Sequence, residues 1–385
     1  MIKEFEIYVP DEKIELLNQK IDLTRWPDEI EDGRWTLGTD KSFLQEAVRT
    51  WRHDFDWRKH EAKLNEVGSF KYKTQSGLEL HYLHKTSNSK NAIPLLLTHG
   101  WPGSVQEFLK IIPLLTEGRE GIEFNVVCPA IPGYGFSDKP TELGMNSEEV
   151  AKLENELMLS LGYNKYIAQG GDWGATITKW IAELFPENCI AIHLNLVLAF
   201  PGEGDDPMEG VTPEEAKGME NLQKYQETGF GYFAIQSTKP QTLGYGLNDS
   251  PVGLAGWIIE KFHGWAAKES NQLVVPLDEV LAIVSLYWFT ESITSSARLY
   301  YENGPIGFSF NKINQPMAGA IFENEIARPP RAWAEKIYNI EQWNQYPGGH
   351  FAALENSEIL ASDIFSFAKK LKILQNLSSP NSVKT

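Results

Sequence analysis

A short glycine-rich run surrounds one acidic residue whose position suggests a role in catalysis. The stretch "AQGGDWGATI" places Asp172 between an apolar run typical of a strand and a pattern typical of a helix. Gly170 and Gly174 permit a tight turn there, and the N-terminus of the following helix favours negative charge. The sequence therefore predicts an accessible, ionised carboxylate at a sharp turn, although a simple helix N-cap would give the same local pattern.

A carboxylate at such a turn suits attack on a saturated carbon. Serine attacking an sp³ carbon would leave an ether, which resists hydrolysis. Aspartate leaves an alkyl ester, which water can cleave at the carbonyl carbon of the aspartate itself. The electrophiles that fit this chemistry are epoxides and alkyl halides, so we interpret Asp172 as a candidate nucleophile for such a carbon.

Hydrolysis of that ester needs donors for the oxyanion that forms on Asp172. The stretch "LLLTHGWPGSVQEF" follows a strand pattern and leads into a helix pattern. This places the backbone N–H of Trp101 as one candidate donor and that of Trp173 as its partner. His99 in the same loop is more simply explained as a side chain that supports the loop by hydrogen bonding.

Hydrolysis also needs a base, and the stretch "YPGGHFAALE" supplies His350. Of the eight histidines, His350 alone follows a glycine pair after a late strand pattern, downstream of the candidate nucleophile. A neutral imidazole can deprotonate water near pH 7. The stretch "GAIFENEIARPP" offers Glu323 and Glu325 to orient it, and spacing alone does not decide between them.

The surrounding pattern alternates strands with helices from Leu78 onward. Strand patterns include "LELHYLHK", "IPLLLTHG", "FNVVCPAI", "YIAQGG", "CIAIHLNLV" and "QPMAGAIF". Such alternation predicts an α/β protein with a mostly parallel sheet and helices on both faces. The order of nucleophile, acid and histidine along this pattern is that of an α/β-hydrolase fold.

Interruptions in the alternation of strand and helix patterns predict the domain organisation. The helical section 201–304, with turn signals such as "GYGLNDSPVG", is predicted to be a cap inserted into the sheet domain. The other predicted parts are an N-terminal extension wrapping the core, two parts of the core and a flexible tail: 1–77, 78–200, 305–375 and 376–385.

Composition and sequence patterns limit the kinds of partner, cofactor and cellular location that fit this chain. The chain has 385 residues and a formal net charge of −17, which argues against nucleic acid and anionic membranes. Cys128 and Cys189 lie in apolar runs and are interpreted as buried, reduced thiols. The start, "MIKEFEIYVPDEK", resembles neither a signal peptide nor a membrane anchor, so we predict a cytoplasmic location. No metal-ligand spacing or phosphate-binding loop is present, so no cofactor is expected.

Several stretches together resemble the microsomal-type epoxide hydrolases, including the juvenile hormone epoxide hydrolases and soluble fungal and bacterial relatives. The resemblance covers most of the chain. Animal microsomal members begin with a hydrophobic anchor, whereas this chain starts directly with "MIKEFEIYVPDEK", so it resembles a soluble relative. The matching stretches are "RWPDE", "DFDWRKHEAKLNEVGSF", "LLLTHGWPGSVQEF", "PGYGFSDKP", "QGGDWGA", "STKPQTLGYGLNDSPVGLAGWIIEKF", "YWFTESITSSARLYYEN" and "GGHFAALE".

The resemblance implies roles for particular residues. Asp172 takes the nucleophile position, His350 the base position, and Glu325 the position of the acid that orients the base. The gap from Glu325 to His350 is about two residues shorter than in animal members, so Glu323 stays an alternative.

The resemblance also places two cap tyrosines that open the epoxide. They are Tyr232 and Tyr300, with Tyr301 as the adjacent alternative. A phenol of pKa about 10 keeps its proton at pH 7 and can donate it to the opening oxygen.

These observations predict an epoxide hydrolase that acts on a small lipophilic epoxide with water and forms a vicinal diol. The alternatives are a haloalkane dehalogenase of the same fold and a non-catalytic ligand-binding relative. The paired tyrosines favour the epoxide, because a leaving halide needs no proton. A homodimer is left open by the sequence.

Overall fold

The computed structural model describes residues 1–202, 204–267, 273–304 and 308–378. The predicted tail, 376–385, lies outside the described residues from residue 379 onward, while residues 376–378 continue the last helix. The predicted domain boundaries stay a prediction.

In the described part of the chain, nine strands form one sheet in the order β1-β2-β3-β5-β4-β6-β7-β8-β9. The strands from β4 to β9 pair in parallel, and β1, β2 and β3 are antiparallel to their neighbours. The mostly parallel sheet predicted from the sequence is thus confirmed. The strands are β1 (Ile2–Glu4), β2 (Ser69–Lys73), β3 (Glu79–Lys85), β4 (Ile93–Thr98), β5 (Phe124–Pro129), β6 (Tyr166–Gly170), β7 (Cys189–Leu194), β8 (Pro316–Asn324) and β9 (Asn339–Gly349).

Helices connect and cover these strands. They are α1 (Asp11–Asp22), α2 (Lys41–His53), α3 (Trp57–Val67), α4 (Ile111–Glu117), α5 (Ser147–Ser160), α6 (Trp173–Leu184), α7 (Pro213–Thr228), α8 (Gly231–Thr238), α9 (Pro240–Asp249), α10 (Pro251–Trp265), α11 (Leu277–Thr290), α12 (Ile293–Asn303), α13 (Arg331–Ile337), α14 (Ala352–Glu355) and α15 (Ser357–Ser378). Every residue of β6 is buried, as expected of a central strand covered on both faces. None of the described helices is long and apolar enough to cross a membrane.

Helices α7 to α12 form a cap between β7 and β8, two strands that are neighbours in the sheet. The stretch "GYGLNDSPVG", interpreted from its glycines as a turn signal, is mostly helical. Ser250 alone separates α9 from α10, and its side chain accepts a hydrogen bond from the N–H of Gly253. Gly244 is a packing residue, because a Cβ there would lie 2.2 Å from Oγ1 of Thr294 on α12.

The N-terminal extension joins the cap to the core. Its strands β1 and β2 pair with each other, and β2 continues the sheet through β3. Its helices contact the cap, where the indole N–H of Trp51 donates to Oγ of Ser285 at 2.8 Å. Oγ1 of Thr39 donates to the carbonyl oxygen of Gly256 at 2.6 Å. The extension therefore holds the cap against the sheet that carries the site.

Candidate active site

Four strands end at one edge of the sheet and position the site residues. Thr98 at the end of β4 lies opposite Gly170 at the end of β6, and Asn324 of β8 lies opposite Gly349 of β9. The carboxyl ends of parallel strands are where open α/β sheets place their ligand sites. The residues that follow these strand ends are thus brought together.

Asp172 stands at the turn between β6 and α6. Its backbone has φ 50° and ψ −130°, a conformation that side chains other than glycine adopt rarely and at a cost of about 1–3 kcal/mol. The turn holds the carboxylate outside the end of the sheet, where the backbone N–H of Trp101 donates to Oδ1 at 2.8 Å. Trp173 is the first residue of α6, directly after the carboxylate.

His350 lies on the other side of the carboxylate. Its Nε2 is 3.4 Å from Oδ2 of Asp172, and its Nδ1 is 2.6 Å from Oε1 of Glu325. Burial disfavours a charge on His350, but the carboxylates of Glu325 and Asp172 outweigh it and hold the pKa of the imidazole well above its usual value. The imidazole is therefore set between two carboxylates.

The structure separates the two glutamates that spacing could not distinguish. Glu325 is buried, receives the N–H of Ile326 at 2.7 Å and contacts His350. Glu323 is exposed to solvent. The geometry favours Glu325 as the partner of His350.

The two cap tyrosines lie above the Trp101 loop. Tyr232 on α8 stacks on the Trp101 ring with centroids 5.4 Å apart, and Tyr300 on α12 meets that ring edge-on at 5.7 Å. Burial, with a contribution from the charge of Asp172, raises the pKa of both phenols well above the usual value. Both hydroxyls therefore keep their protons. Tyr301, the alternative to Tyr300, is 46% exposed.

An apolar cavity of about 210 Å³ opens between these tyrosines and Asp172. Most of its wall consists of aliphatic and aromatic side chains from the cap and the core. Its further lining residues are Trp173, Thr176, Leu196, Leu198, Phe200, Leu222, Tyr225, Gln226, Phe230, Phe233, Phe308, Ile326 and Ala327.

His99 has the supporting position that the sequence suggested. Its Nδ1 lies 3.0 Å from the carbonyl oxygen of Gly100, and its Nε2 accepts the N–H of Ile131 at 3.3 Å. Burial lowers its pKa to about 4, so the ring is neutral and braces the loop next to Asp172.

Sequence reasoning missed Glu355, which holds the His350 loop. Its carboxylate accepts the N–H groups of Gly349, Phe351 and Ala267, each at 2.9 Å. It thereby joins the base loop to the end of α10 in the cap. Its place at the end of "GGHFAALE" was the available signal, but nothing in the spacing showed that the side chain folds back onto the loop.

The fold and the site define an α/β-hydrolase with an aspartate at the strand-to-helix turn, a histidine–glutamate pair beside it and a helical cap. Among the residues that the structure describes, no cluster of His, Cys, Asp and Glu is arranged to hold a metal ion.

Comparison with known proteins narrows this class. A family model described as "Epoxide hydrolase N terminus" matches residues 2–108, and one described as "alpha/beta hydrolase fold" matches residues 93–226. Epoxide hydrolase 1 of Sus scrofa is 39% identical over 95% of this chain and 88% of its own length. The chain therefore belongs to the epoxide hydrolase family, which confirms the resemblance seen in the sequence.

Solved structures agree with that assignment. The juvenile hormone epoxide hydrolase of the silkworm Bombyx mori superposes with a TM-score of 0.91 at 32% identity, covering 97% of this chain and 96% of its own. The epoxide hydrolase of Aspergillus niger superposes with a TM-score of 0.87 at 31% identity, covering 96% of both chains. The predicted α/β-hydrolase fold is confirmed by these matches.

Proposed function

We propose that this protein converts a lipophilic epoxide to a vicinal diol in two steps, through an ester on Asp172. The observation that carries the proposal is the position of Asp172 between two partners. On one side it lines the apolar cavity with Tyr232 and Tyr300, and on the other its Oδ2 is 3.4 Å from Nε2 of His350. Family membership supports the substrate class.

In the first step, the epoxide lies in the apolar cavity with its oxygen toward Tyr232 and Tyr300. The carboxylate of Asp172 attacks one ring carbon, a new C–O bond forms, and the bond from that carbon to the ring oxygen breaks. The opening oxygen takes a proton from a phenol, because the phenolate left behind is a far weaker base than the alkoxide, and the phenolate regains a proton from solvent before the next turnover. Burial of both phenols supports this role, because it keeps them protonated.

In the second step, His350 deprotonates a water that attacks the carbonyl carbon of the Asp172 ester. Glu325 stabilises the imidazolium that forms, through the contact to Nδ1. The backbone N–H of Trp101 already points at a carboxylate oxygen of Asp172 and would hold the oxyanion, with the N–H of Trp173 as second donor. Collapse breaks the bond to the diol oxygen, which takes the proton from His350.

The first step and the ester are tested by one turnover in heavy-oxygen water, with enzyme in excess over styrene oxide. We expect the first diol to carry only light oxygen, because that atom comes from Asp172, and the heavy oxygen to enter the carboxylate. Heavy oxygen in the first diol would mean that water attacks the epoxide directly.

Epoxide hydrolysis and dehalogenation, the two candidate activities, are distinguished by an assay with one substrate of each kind. Incubation with styrene oxide and, separately, with 1-bromobutane should give diol from the first and no halide from the second. Halide release without diol formation would reverse the assignment. The two tyrosines support the epoxide, because they supply the proton that an alkoxide needs and a halide does not.

A further inference from the structure

A further carboxyl group, besides that of Glu325, lies close to the Asp172–His350 pair and has no part in the mechanism above. Glu107 belongs to the short turn Val105–Phe108 after the Trp101 loop. Its side chain is half-buried and lines a cavity. Burial raises its pKa to about 8. The charge of His350 opposes this rise, and the charge of Asp172 adds to it.

That cavity has a volume of about 20 Å³, and its lining combines polar and apolar residues. Its wall includes Glu107, His350 and Asp172, together with the amides of Gln169 and Asn195. A space of this size accommodates one water molecule, which needs two to four polar partners. The cavity therefore has both the room and the partners for a single water next to the base.

Gly103 provides the space in which the Glu107 carboxylate lies. A Cβ on Gly103 would be 1.4 Å from Oε1 of Glu107, so any side chain there would displace the carboxylate. Oε1 accepts the backbone N–H of Ser104 at 3.0 Å. One oxygen thus fixes the turn, and the same requirement would be met by the oxygen of a glutamine.

A carboxylate is costly in such surroundings, because burial disfavours its charge. Glu154 offers a comparison within the same protein. Burial also raises its pKa to about 8, and it accepts the hydroxyl of Thr98 at 2.7 Å, but it does not line the cavity beside His350. The position of Glu107, more than its burial, is what connects it to the reaction.

We propose that Glu107 holds the water that hydrolyses the Asp172 ester, accepting one of its O–H groups while Nε2 of His350 takes the other proton. The inference rests on the proposed function, of which it describes the second step. The water oxygen bonds to the carbonyl carbon of Asp172, and one proton goes to His350 and then to the departing diol oxygen. The second hydrogen stays on the attacking oxygen, directed at Glu107, until the regenerated Asp172 carboxyl ionises and releases it to solvent.

The test is Glu107→Gln, examined by rapid mixing with excess styrene oxide, with the two steps measured separately. Glutamine can still accept the N–H of Ser104, but the group it turns to the cavity is a donor only. We expect the alkylation rate to stay within about twofold of the parent. Ester hydrolysis should slow about 10- to 100-fold, because the water is no longer oriented between His350 and the Asp172 carbonyl. The alkyl-enzyme should then accumulate and appear as added mass on the peptide that contains Asp172.

Gly103→Ala is the second variant, because it displaces the carboxylate without removing it, and it should slow the same step. Glu154→Gln is the matched control and should alter neither step. Equal slowing of both steps in Glu107→Gln, or hydrolysis at the parent rate, would overturn the role of Glu107. Failure of the parent and all variants to form any ester would instead refute the proposed two-step function, and the role of Glu107 with it.

Discussion

Two cavities meet at Asp172, and they differ in almost every property. The one beneath the cap is large, apolar and lined by residues from cap and core. The one beside His350 is about a tenth of its volume, is more polar, and is lined by core residues alone. Among the described residues, Asp172 is the one side chain that lines both. The nucleophile thus forms the boundary between a place for the epoxide and a place for water.

The two sides are also held in different ways. The tyrosines above Asp172 are fixed by ring packing, such as the stacking of Tyr232 on Trp101. His350 also meets the rings of Trp265 and Phe351 edge-on, but it has directed hydrogen bonds in addition, from its Nδ1 to Glu325 and from its backbone N–H to the carbonyl oxygen of Trp265 at 2.9 Å. Packing suits a lipophilic ligand, whereas directed hydrogen bonds suit proton transfer. The difference suggests that alkylation and hydrolysis can be impaired independently.

The largest effect is expected from removing the shared residue. Asp172→Ala should lower diol formation by at least about 10⁴-fold, the scale seen when a nucleophile is lost. Asp172→Gly should be equally inactive but more stable than Asp172→Ala by about 1 kcal/mol, because glycine adopts φ 50° without strain. Activity assays and urea unfolding measure the two effects. A Gly variant no more stable than the Ala variant would show that the turn is not strained.

Removing the base beside Asp172 should stop the reaction after alkylation, before the ester is hydrolysed. His350→Gln should lower turnover about 10³-fold through the hydrolysis step, because no base remains to deprotonate water. Alkylation should continue, so intact mass spectrometry should show a stable adduct of one substrate per enzyme. An inactive variant without adduct would mean that His350 also serves the first step.

Removing a tyrosine hydroxyl from the apolar cavity should slow alkylation instead. Tyr232→Phe and Tyr300→Phe each keep the ring but lose the proton donor. Each should reduce the alkylation rate about 10- to 100-fold, with ester hydrolysis little changed. Stopped-flow measurement of the two phases distinguishes them. The control is Tyr301→Phe, which should behave as the parent because Tyr301 is largely exposed.

The smallest expected effect is a shift in pH dependence. The Glu325 carboxylate stabilises the imidazolium of His350 and raises its pKa, so the neutral base predominates only at higher pH. Glu325→Gln should lower that pKa, and the rise of ester hydrolysis with pH should move to lower pH by about one unit. The exposed Glu323→Gln is the control. An unchanged profile in Glu325→Gln would assign the orienting role elsewhere.

Much of this architecture could be predicted because it depends on local pattern. The apolar runs ending near Thr98 and Gly170 predicted strands, and both strands are present. A late strand was also expected before the glycine pair that precedes His350, and β9 lies there. The order of Asp172 and His350 along the chain predicted that both follow strand ends. The fold and the family were therefore readable from the sequence, and both are confirmed. The roles of individual site residues stay predictions that the variants above would test.

What the sequence by itself determined was the set of chemical groups and the strand ends that carry them, because periodicity and glycine placement act over a few residues. What only the tertiary structure decided was which of two neighbours faces inward. Glu325 rather than Glu323 meets His350, and Tyr300 rather than Tyr301 faces the cavity. The same holds for Glu107 and Glu355, whose contacts depend on how separate loops pack. Spacing along the chain cannot supply this information, because the direction of a side chain is set by the surfaces that close around it.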